Sequence, residues 1–242
     1  MRFDSVKVVS FSGIDGAGKS TQIEALCRHL KELSVPFTLY TFWDNIVVLS
    51  GVRETMSLKA FKGDKGVGSV DQPITRRDKN VTSWQVTAMR LLLYLLDAFS
   101  LCVAVSSSVD NGNSEFLIFD RYIYDELANL PLSNPAVRFY IRLLMKFIPR
   151  PDVAFLVDAD PEAANRRKPE YPLDFVRRNR DAYLRLSRLV GGVTVLPPLP
   201  VEQTTDLIKG AISEKCLRLD SASVSFQLPC PIAPESAKTG QG

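Results

Sequence analysis

The segment from Gly13 to Ser20 constrains this chain more than any other part of its sequence. It reads Gly-Ile-Asp-Gly-Ala-Gly-Lys-Ser and fits the pattern G-x-x-x-x-G-K-[ST], with Thr21 directly after it. In such a loop the glycines let the backbone curl tightly, so that successive N–H groups point at a phosphate. We expect Lys19 to reach the β- and γ-phosphates of a nucleotide and the Ser20 hydroxyl to contact Mg²⁺.

The residues on both sides of this loop predict the strand and the helix that the motif requires. Residues 7–12 are a short apolar run with β-branched side chains, which indicates a strand. Residues 19–33 carry apolar side chains at helical spacing. The positive end of that helix would add to the attraction for phosphate. This context favours a phosphate-binding loop over a glycine-rich turn without a ligand.

Strand and helix signals alternate along the chain, which predicts an α/β fold with a mostly parallel sheet. Strands are predicted over 7–12, 37–42, 116–119, 153–157 and 193–196. Helices are predicted over 19–33, 81–107, 122–129, 135–147, 161–167, 173–189 and 201–217. Four of the five strands are near-continuous apolar runs, as expected where helices cover both faces of a sheet.

Two stretches lack the pattern of a folded core. Residues 63–80 are rich in Gly, Lys, Asp and Arg, which predicts a loop or an insertion on the substrate side. Residues 219–242 turn to Ser, Pro, Gly, Lys and Gln, which predicts a disordered tail. We therefore expect one domain over residues 1–218, followed by that tail.

Composition excludes several function classes. The net charge of +3 does not indicate a large nucleic-acid footprint. The only histidine is His29, within a predicted helix, so Ser-His-Asp chemistry, Cys-His chemistry and histidine-based zinc sites are excluded. The four cysteines are far apart without C-x-x-C spacing, which indicates reduced thiols in a cytoplasmic protein.

Neither a leader peptide nor a membrane span is predicted. The N-terminus enters a strand without a basic-then-apolar leader. The longest apolar stretch, residues 91–105, contains Asp97 and is shorter than the roughly 20 residues that a span needs. We interpret it as a buried core helix and expect no membrane partner.

A second informative segment joins the apolar strand at 116–119 to Asp120, Arg121 and Tyr122. A carboxylate directly after such a strand lies at the carboxyl edge of the sheet, where open α/β sheets bind ligands. If this strand neighbours the loop strand, Asp120 can reach the Mg²⁺ zone and Arg121 a phosphate. The alternative is an ion pair at a strand end, since Asp158 follows an apolar strand in the same way.

Three motifs taken together resemble those of the thymidylate kinase family. They are residues 13–21, Asp120-Arg121-Tyr122, and the run Asp158-Ala159-Asp160-Pro161-Glu162 followed by Arg166 and Arg167. Their order and approximate spacing match over residues 5–215. The resemblance implies a P-loop NTPase three-layer fold, with a five-stranded parallel sheet, helices on both faces and a short lid. It also implies transfer of phosphate from ATP, with Mg²⁺, to a nucleoside monophosphate.

The resemblance also implies roles for individual residues. The nucleotide cradle corresponds to Gly13, Gly16, Ala17, Gly18, Lys19, Ser20 and Thr21. The catalytic set corresponds to Lys19, Asp15, Asp120, Arg121, Arg166 and Arg167, with Ser20 and Asp120 at the metal. Some members carry an arginine where this loop has Gly16-Ala17, so Arg166, Arg167 and Lys168 of the lid would supply that charge. Their alternative is a solvated basic helix end, which also suits the helix dipole.

The chain departs from the family pattern on the acceptor side. The usual T-R-x-P-G-G is replaced by Thr41-Phe42-Trp43-Asp44-Asn45, and Asp97-Ala98 stands where the family has an arginine that grips the acceptor phosphate. Asp125 stands where the family usually has serine. Candidates to replace the lost contacts are Arg53, Arg76, Arg77, Arg90, Phe42, Trp43 and Trp84. Each of them is also explained as a loop charge or a core aromatic.

The sequence therefore predicts a kinase of a small nucleotide, with a dTMP-like acceptor. Two alternatives stay open: a kinase whose acceptor is a nucleoside or not a nucleotide, and a non-catalytic ATP-binding protein. The long helix at 81–107 has apolar residues on more than one face. It packs either against a second copy, as in a homodimer, or wholly inside one chain.

Overall fold

The computed structural model describes residues 6–47, 84–111 and 114–217. Within them, five strands form one parallel sheet in the order β2-β3-β1-β4-β5. Their bounds are β1 Lys7–Ser12, β2 Phe37–Thr41, β3 Phe116–Asp120, β4 Val153–Val157 and β5 Val193–Leu196. This is the five-stranded parallel sheet that the resemblance implied.

Eight α-helices surround the sheet in the described part of the chain. They are α1 Lys19–Glu32, α2 Phe42–Asn45, α3 Trp84–Asn111, α4 Ile123–Leu127, α5 Pro135–Leu144, α6 Pro161–Arg167, α7 Leu173–Val190 and α8 Val201–Ile212. A π-helical turn, Ser213–Leu217, continues α8. All seven predicted helices are confirmed in kind. The short helix α2 was missed, because the predicted strand took in Phe42.

The helices form two layers, one on each face of the sheet. Right-handed crossovers from β1 to β2 and from β2 to β3 run in opposite directions across the sheet, so α1 and α3 fall on opposite faces. In agreement, α1 packs with α8, whereas α7 contacts α4, α5 and α6. The three central strands β1, β3 and β4 are accordingly buried from both sides, whereas the edge strands β2 and β5 are only partly buried.

The long helix α3 is not the buried core helix that the sequence predicted. It contains a stretch, Thr87–Asp110, that is long and apolar enough to cross a membrane by length and composition. Only 28% of the most apolar part of this stretch is buried, whereas a core helix would be mostly buried. Leu92 is 59% exposed and Phe99 is 70% exposed. The apolar stretch extends beyond residues 91–105 on both sides, so the prediction that it is too short to span a membrane was wrong. The predicted insertion at 63–80 and the predicted tail at 219–242 lie outside the described residues.

Candidate functional site

The glycines of the loop between β1 and α1 occupy backbone conformations that side chains rarely adopt. Gly13, Gly16 and Gly18 have φ angles of 140°, 79° and 94°. A Cβ atom on Gly13 would lie 2.5 Å from the carbonyl oxygen of Val157, at the end of β4. The loop is thus pressed against the neighbouring strand, and glycine is required for the turn. Gly18 directly precedes α1, whose N-terminus faces the loop.

Lys19 is folded back onto its own loop. Its Nζ donates hydrogen bonds to the carbonyl oxygens of Gly13, at 2.8 Å, and Ile14, at 2.9 Å. Burial, and secondly the positive charge of Arg121, lower the pKa of Lys19 to about 8. The ammonium is therefore held at the loop but is poorly compensated, and a phosphate would supply the missing negative charge.

Helix α6 packs directly on the loop and carries the predicted lid residues. A Cβ atom on Gly16 would collide with the carbonyl oxygen of Ala164 in α6. Arg167 follows one turn later, and its Nη1 lies 3.9 Å from where a Cβ atom of Gly18 would be. Lys168 places Nζ 4.0 Å from an Asp15 oxygen. Arg166 is exposed at the end of α6.

Strand β3 brings the second predicted motif to the same place. It pairs with β1, and Asp120 stands opposite Phe11 in the register. The backbone N–H of Arg121 donates to the carbonyl of Phe11 at 2.9 Å. Arg121 has a φ angle of 69°, which is uncommon for a residue with a side chain. This turn aims its guanidinium toward the loop, where it donates to Asp15 and forms an ion pair with it.

The other arm of the Arg121 guanidinium contacts Asp125, a carboxylate with four hydrogen-bond donors around it. Oδ1 accepts from Arg121 Nη1 at 3.1 Å and from the Tyr183 hydroxyl at 2.6 Å. Oδ2 accepts from the Ser12 hydroxyl at 2.6 Å and from the backbone N–H of Tyr122 at 3.2 Å. The side chain of Asp125 is only 2% exposed.

Electrostatics in this cluster follow from burial and from the paired charges. Burial alone would lower the pKa of the Arg121 guanidinium, but the Asp125 and Asp15 carboxylates raise it above its usual value. Burial, and secondly the charge of Asp125, raise the pKa of the Tyr183 hydroxyl well above its usual range. At neutral pH Arg121 is charged and Tyr183 is a neutral donor.

The cluster shows what the sequence missed. Tyr183 and Ser12 were not predicted as site residues, and Asp125 was noted only as a departure from the family pattern. These polar side chains are recognisable because they are buried and hydrogen-bonded to one another, and the sequence alone does not show which polar side chains are buried. Asp158, the other carboxylate after an apolar strand, grips Arg180 of α7 at 2.6 and 2.7 Å. It therefore forms the ion pair that was the alternative for Asp120.

The candidate acceptor residues do not assemble into one site in the described part of the chain. Phe42 is fully buried and packs near Tyr122, so it is a core residue. Trp43 and Trp84 are 38% and 75% exposed. Arg90 reaches the carbonyl of Asn129 at 3.5 Å. Arg53, Arg76 and Arg77 lie outside the described residues.

The carboxylate oxygens beside the phosphate-binding loop, at the carboxyl edge of the sheet, fit a magnesium ion that is shared with a nucleotide. The carboxylates of Asp15, Asp125 and Asp120 all act on the pKa of Lys19, so negative charge gathers beside the loop. The described residues hold no group of three or more His, Cys, Asp or Glu side chains that could enclose a metal alone. Mg²⁺ usually takes one or two carboxylates, with phosphate oxygens and water completing its shell.

Sequence comparison finds thymidylate kinases among the relatives of this chain. A probable thymidylate kinase from Methanosphaera stadtmanae is 24% identical over 216 residues, which cover 87% of this chain and 97% of that protein. A thymidylate kinase from Carboxydothermus hydrogenoformans is 26% identical over 200 residues, which cover 75% of this chain and 84% of that protein. No protein-family model matches the chain.

Structural comparison supports the same fold. A crystal structure of thymidylate kinase from Ehrlichia chaffeensis superimposes with a TM-score of 0.56 and 18% sequence identity. The match covers 86% of this chain and 99% of the other one. The three-layer architecture is therefore the P-loop NTPase α/β fold.

Proposed function

We propose that this chain, a member of the thymidylate kinase family, transfers the γ-phosphate of ATP to a nucleoside monophosphate. The observation that carries the proposal is the meeting of Lys19, Arg121 and Asp15 at the phosphate-binding loop. Two separate cations beside one loop suit a reaction in which negative charge spreads over the transferring phosphoryl group.

The residues of the chain supply positioning and charge. The loop glycines and the N-terminus of α1 cradle the ATP phosphates through Gly13, Gly16, Ala17, Gly18, Lys19, Ser20 and Thr21. Lys19 leaves its own loop carbonyls for phosphate oxygens, and Arg121 turns one arm of its guanidinium toward the transferring group. When bound, Mg²⁺ neutralises charge on the phosphates, and Ser20 and Asp120 are the residues that would hold it.

The end of α6 acts as the lid. Arg167 and Lys168 stand beside the loop, so a small movement brings their charges onto the phosphates. Arg166 is exposed on the same turn and joins them when the lid closes. Closure would also exclude water, so that ATP is not simply hydrolysed.

The acceptor that we propose is a dTMP-like nucleoside monophosphate. The relatives are named for thymidylate. Among the candidate acceptor arginines, Arg90 lies in the described part of the chain, with Nη1 3.5 Å from the carbonyl of Asn129, and would contact an acceptor phosphate. The alternative is an acceptor without a phosphate, favoured by the loss of the family arginine at Asp97-Ala98. Each charge-assisted hydrogen bond lost is worth about 1.5–3 kcal/mol, so the acceptor site differs substantially from that of the family.

The deciding experiment measures ADP release with Mg-ATP and separate acceptors: dTMP, dUMP, the other nucleoside monophosphates, and free nucleosides. We expect turnover with dTMP that disappears in Lys19→Ala. Turnover with nucleosides alone would favour the alternative acceptor class. ATP binding by calorimetry, without turnover on any acceptor, would overturn the kinase and leave a non-catalytic ATP-binding protein.

We also propose that the chain is cytoplasmic and forms a homodimer, and the exposed apolar face of α3 supports the homodimer. Leu92, Leu95, Phe99 and Val103 recur at helical spacing and are 50–70% exposed. Phe139 of α5 and Phe147, three residues after α5 ends, are 68% and 72% exposed. The Tyr140 hydroxyl of α5 donates to the carbonyl of Leu91 in α3, so these rings lie on the same side of the molecule as α3.

A second copy of the chain suits this face better than a membrane. Asp97 is fully buried on the opposite side of α3, where the helix packs against its own domain. A helix with one face held in this way cannot be surrounded by lipid. Two apolar stripes facing each other would instead bury both, as in a helical bundle.

A further inference from the structure

Arg121 has two carboxylate partners, and they differ in how firmly each is held. The Asp15 side chain is 17% exposed and stands 4.0 Å from a second cation, Lys168. The Asp125 side chain is 2% exposed and accepts one hydrogen bond from each of three elements or turns besides Arg121. A carboxylate tied in this way cannot follow Arg121 if the guanidinium moves.

We propose that Asp125 is the positioning residue that fixes Arg121 in the transfer site, whereas Asp15 is its exchangeable partner. This inference rests on the proposed function. The arm of Arg121 that carries Nη1 stays on Asp125, and the arm that carries Nη2 passes from Asp15 to a phosphate oxygen. The planar fork of an arginine permits this, because its two arms point in fixed, separate directions.

The chemistry of the side chain explains why serine could not do the same work here. Asp125 presents two oxygens and accepts four hydrogen bonds, two on each. A hydroxyl has one oxygen and carries no charge to pair with a guanidinium. The replacement of the usual serine therefore gives Arg121 a buried counter-charge.

The backbone of Arg121 needs such an anchor. Its φ angle of 69° lies in the left-handed region, where a residue with a side chain is strained. The hydrogen bond from its N–H to Phe11 fixes the peptide, and Asp125 fixes the far end of the side chain. Because the peptide and the Nη1 arm of Arg121 are both held, the Nη2 arm can point only toward the loop.

The same carboxylate ties three parts of the site together. Ser12 ends the strand that leads into the loop, and Tyr183 lies on α7, the helix that follows the lid. Arg121 follows β3. A change at Asp125 should therefore disturb the orientation of Arg121 more than the affinity for ATP, which the loop itself determines.

The chain offers a matched control for this inference. Asp158 also follows an apolar strand and also pairs with one arginine, Arg180, through two hydrogen bonds. Its side chain is 10% exposed. Asp158→Asn therefore removes a comparable ion pair without touching Arg121.

The experiment observes the guanidinium directly, by NMR of the arginine side-chain nitrogens in ¹⁵N-labelled protein. Signals of Arg121 are assigned with Arg121→Lys and those of Arg180 with Arg180→Lys. We expect a resolved, slowly rotating Arg121 guanidinium in the unchanged protein and in Asp158→Asn, and its loss in Asp125→Asn. An Arg121 signal that is unchanged in Asp125→Asn, or lost equally in Asp158→Asn, would overturn the inference.

Turnover gives the second readout. We expect Asp125→Asn to lower kcat about 10- to 100-fold at nearly constant KM for ATP, and Asp158→Asn to leave kcat within about twofold. Asp125→Ser replaces Asp125→Asn if the latter fails to fold. Absence of turnover in the protein without substitutions would contradict the proposed function. The NMR result would still decide whether Asp125 holds Arg121.

Discussion

Arg121 donates a hydrogen bond to Asp15, a carboxylate 106 positions earlier in the chain. The contact exists because β3 lies beside β1, so that the turn after β3 faces the loop after β1. It links the two most informative motifs of the sequence into one site. It also leaves Arg121 between two negative charges, of which only one is deeply buried.

Removing Arg121 should destabilise the protein far more than removing Asp15. Arg121→Ala would leave the buried carboxylate of Asp125 without its counter-charge, which costs roughly 3 kcal/mol. Asp15→Asn removes a partner that is partly exposed, with an expected loss of about 1 kcal/mol or less. Urea unfolding of both variants measures the two losses. Equal losses in the free energy of unfolding would mean that the buried Asp125 carboxylate does not depend on Arg121 as its counter-charge.

Nucleotide binding should take up a proton at alkaline pH because of Lys19. The pKa of Lys19 in the empty site is about 8, below its ordinary 10.5, so the amine is largely neutral at pH about 9. An anionic phosphate favours the charged form and raises this pKa. Affinity for ADP should accordingly fall as pH rises above 8.

Calorimetry of ADP binding in two buffers with different ionisation enthalpies measures this uptake. We expect up to about one proton at pH about 9, and an uptake lower by that amount in Lys19→Met. The lowered pKa of Lys19 also affects stability, because charging the buried amine destabilises the fold. This cost appears as the pH falls below about 10.5 and is complete below about 8. Lys19→Met should therefore be the more stable protein at neutral pH. Equal proton uptake by both proteins would contradict the assignment.

Gly13→Ala should abolish phosphate binding because the loop has no room for a methyl group. The added Cβ would meet the Val157 carbonyl at 2.5 Å, and the φ angle of 140° is unsuited to alanine. Gly210 in α8 is the matched control, since a Cβ there meets nothing within 4 Å. Gly210→Ala should stabilise the protein by about 0.5–1 kcal/mol. Thermal unfolding with and without ADP separates the two effects.

Arg167→Ala should lower kcat with little change in stability. Its Nε donates to the carbonyl of Ala163 in the same helix, an exposed contact of small energetic value, while Nη1 lies by the loop. Arg178 makes the same kind of contact with Asp174 on α7. We expect kcat to fall about tenfold or more for Arg167→Ala and to hold for Arg178→Ala. Parallel losses in both would contradict the role of α6 as a lid.

Most of the fold could be predicted from the sequence because its signals are local. Apolar runs marked four of the five strands, and the helices predicted to begin at residues 135 and 161 do begin there in the structure, each with a proline at its first position. The loop was predictable residue by residue, because its glycines are required by backbone geometry. The predicted strand ran one residue too far because Phe42 is as apolar as a strand residue, although it begins a short helix.

The polar cluster could not be predicted, because it depends on tertiary contacts. Asp125 and Tyr183 are 58 positions apart, and only the packing of α7 against α4 brings them together. The burial of α3 was mispredicted for a related reason. An apolar residue such as Phe99 indicates a contact but not whether the partner is the same chain.

The exposed apolar face of α3 predicts that the protein is a dimer in solution. Phe99 is 70% exposed in the middle of the apolar stripe that Leu92 and Val103 continue. Phe99→Glu would place a charge at the centre of a two-fold contact and should convert a dimer into a monomer with little effect on folding. Leu199→Glu, at an exposed loop position after β5, is the control and should leave the mass unchanged. Light scattering after gel filtration gives both masses, and vesicle flotation of the unchanged protein tests the membrane alternative. A monomer that does not float would contradict the homodimer, and one that floats would assign the α3 face to lipid.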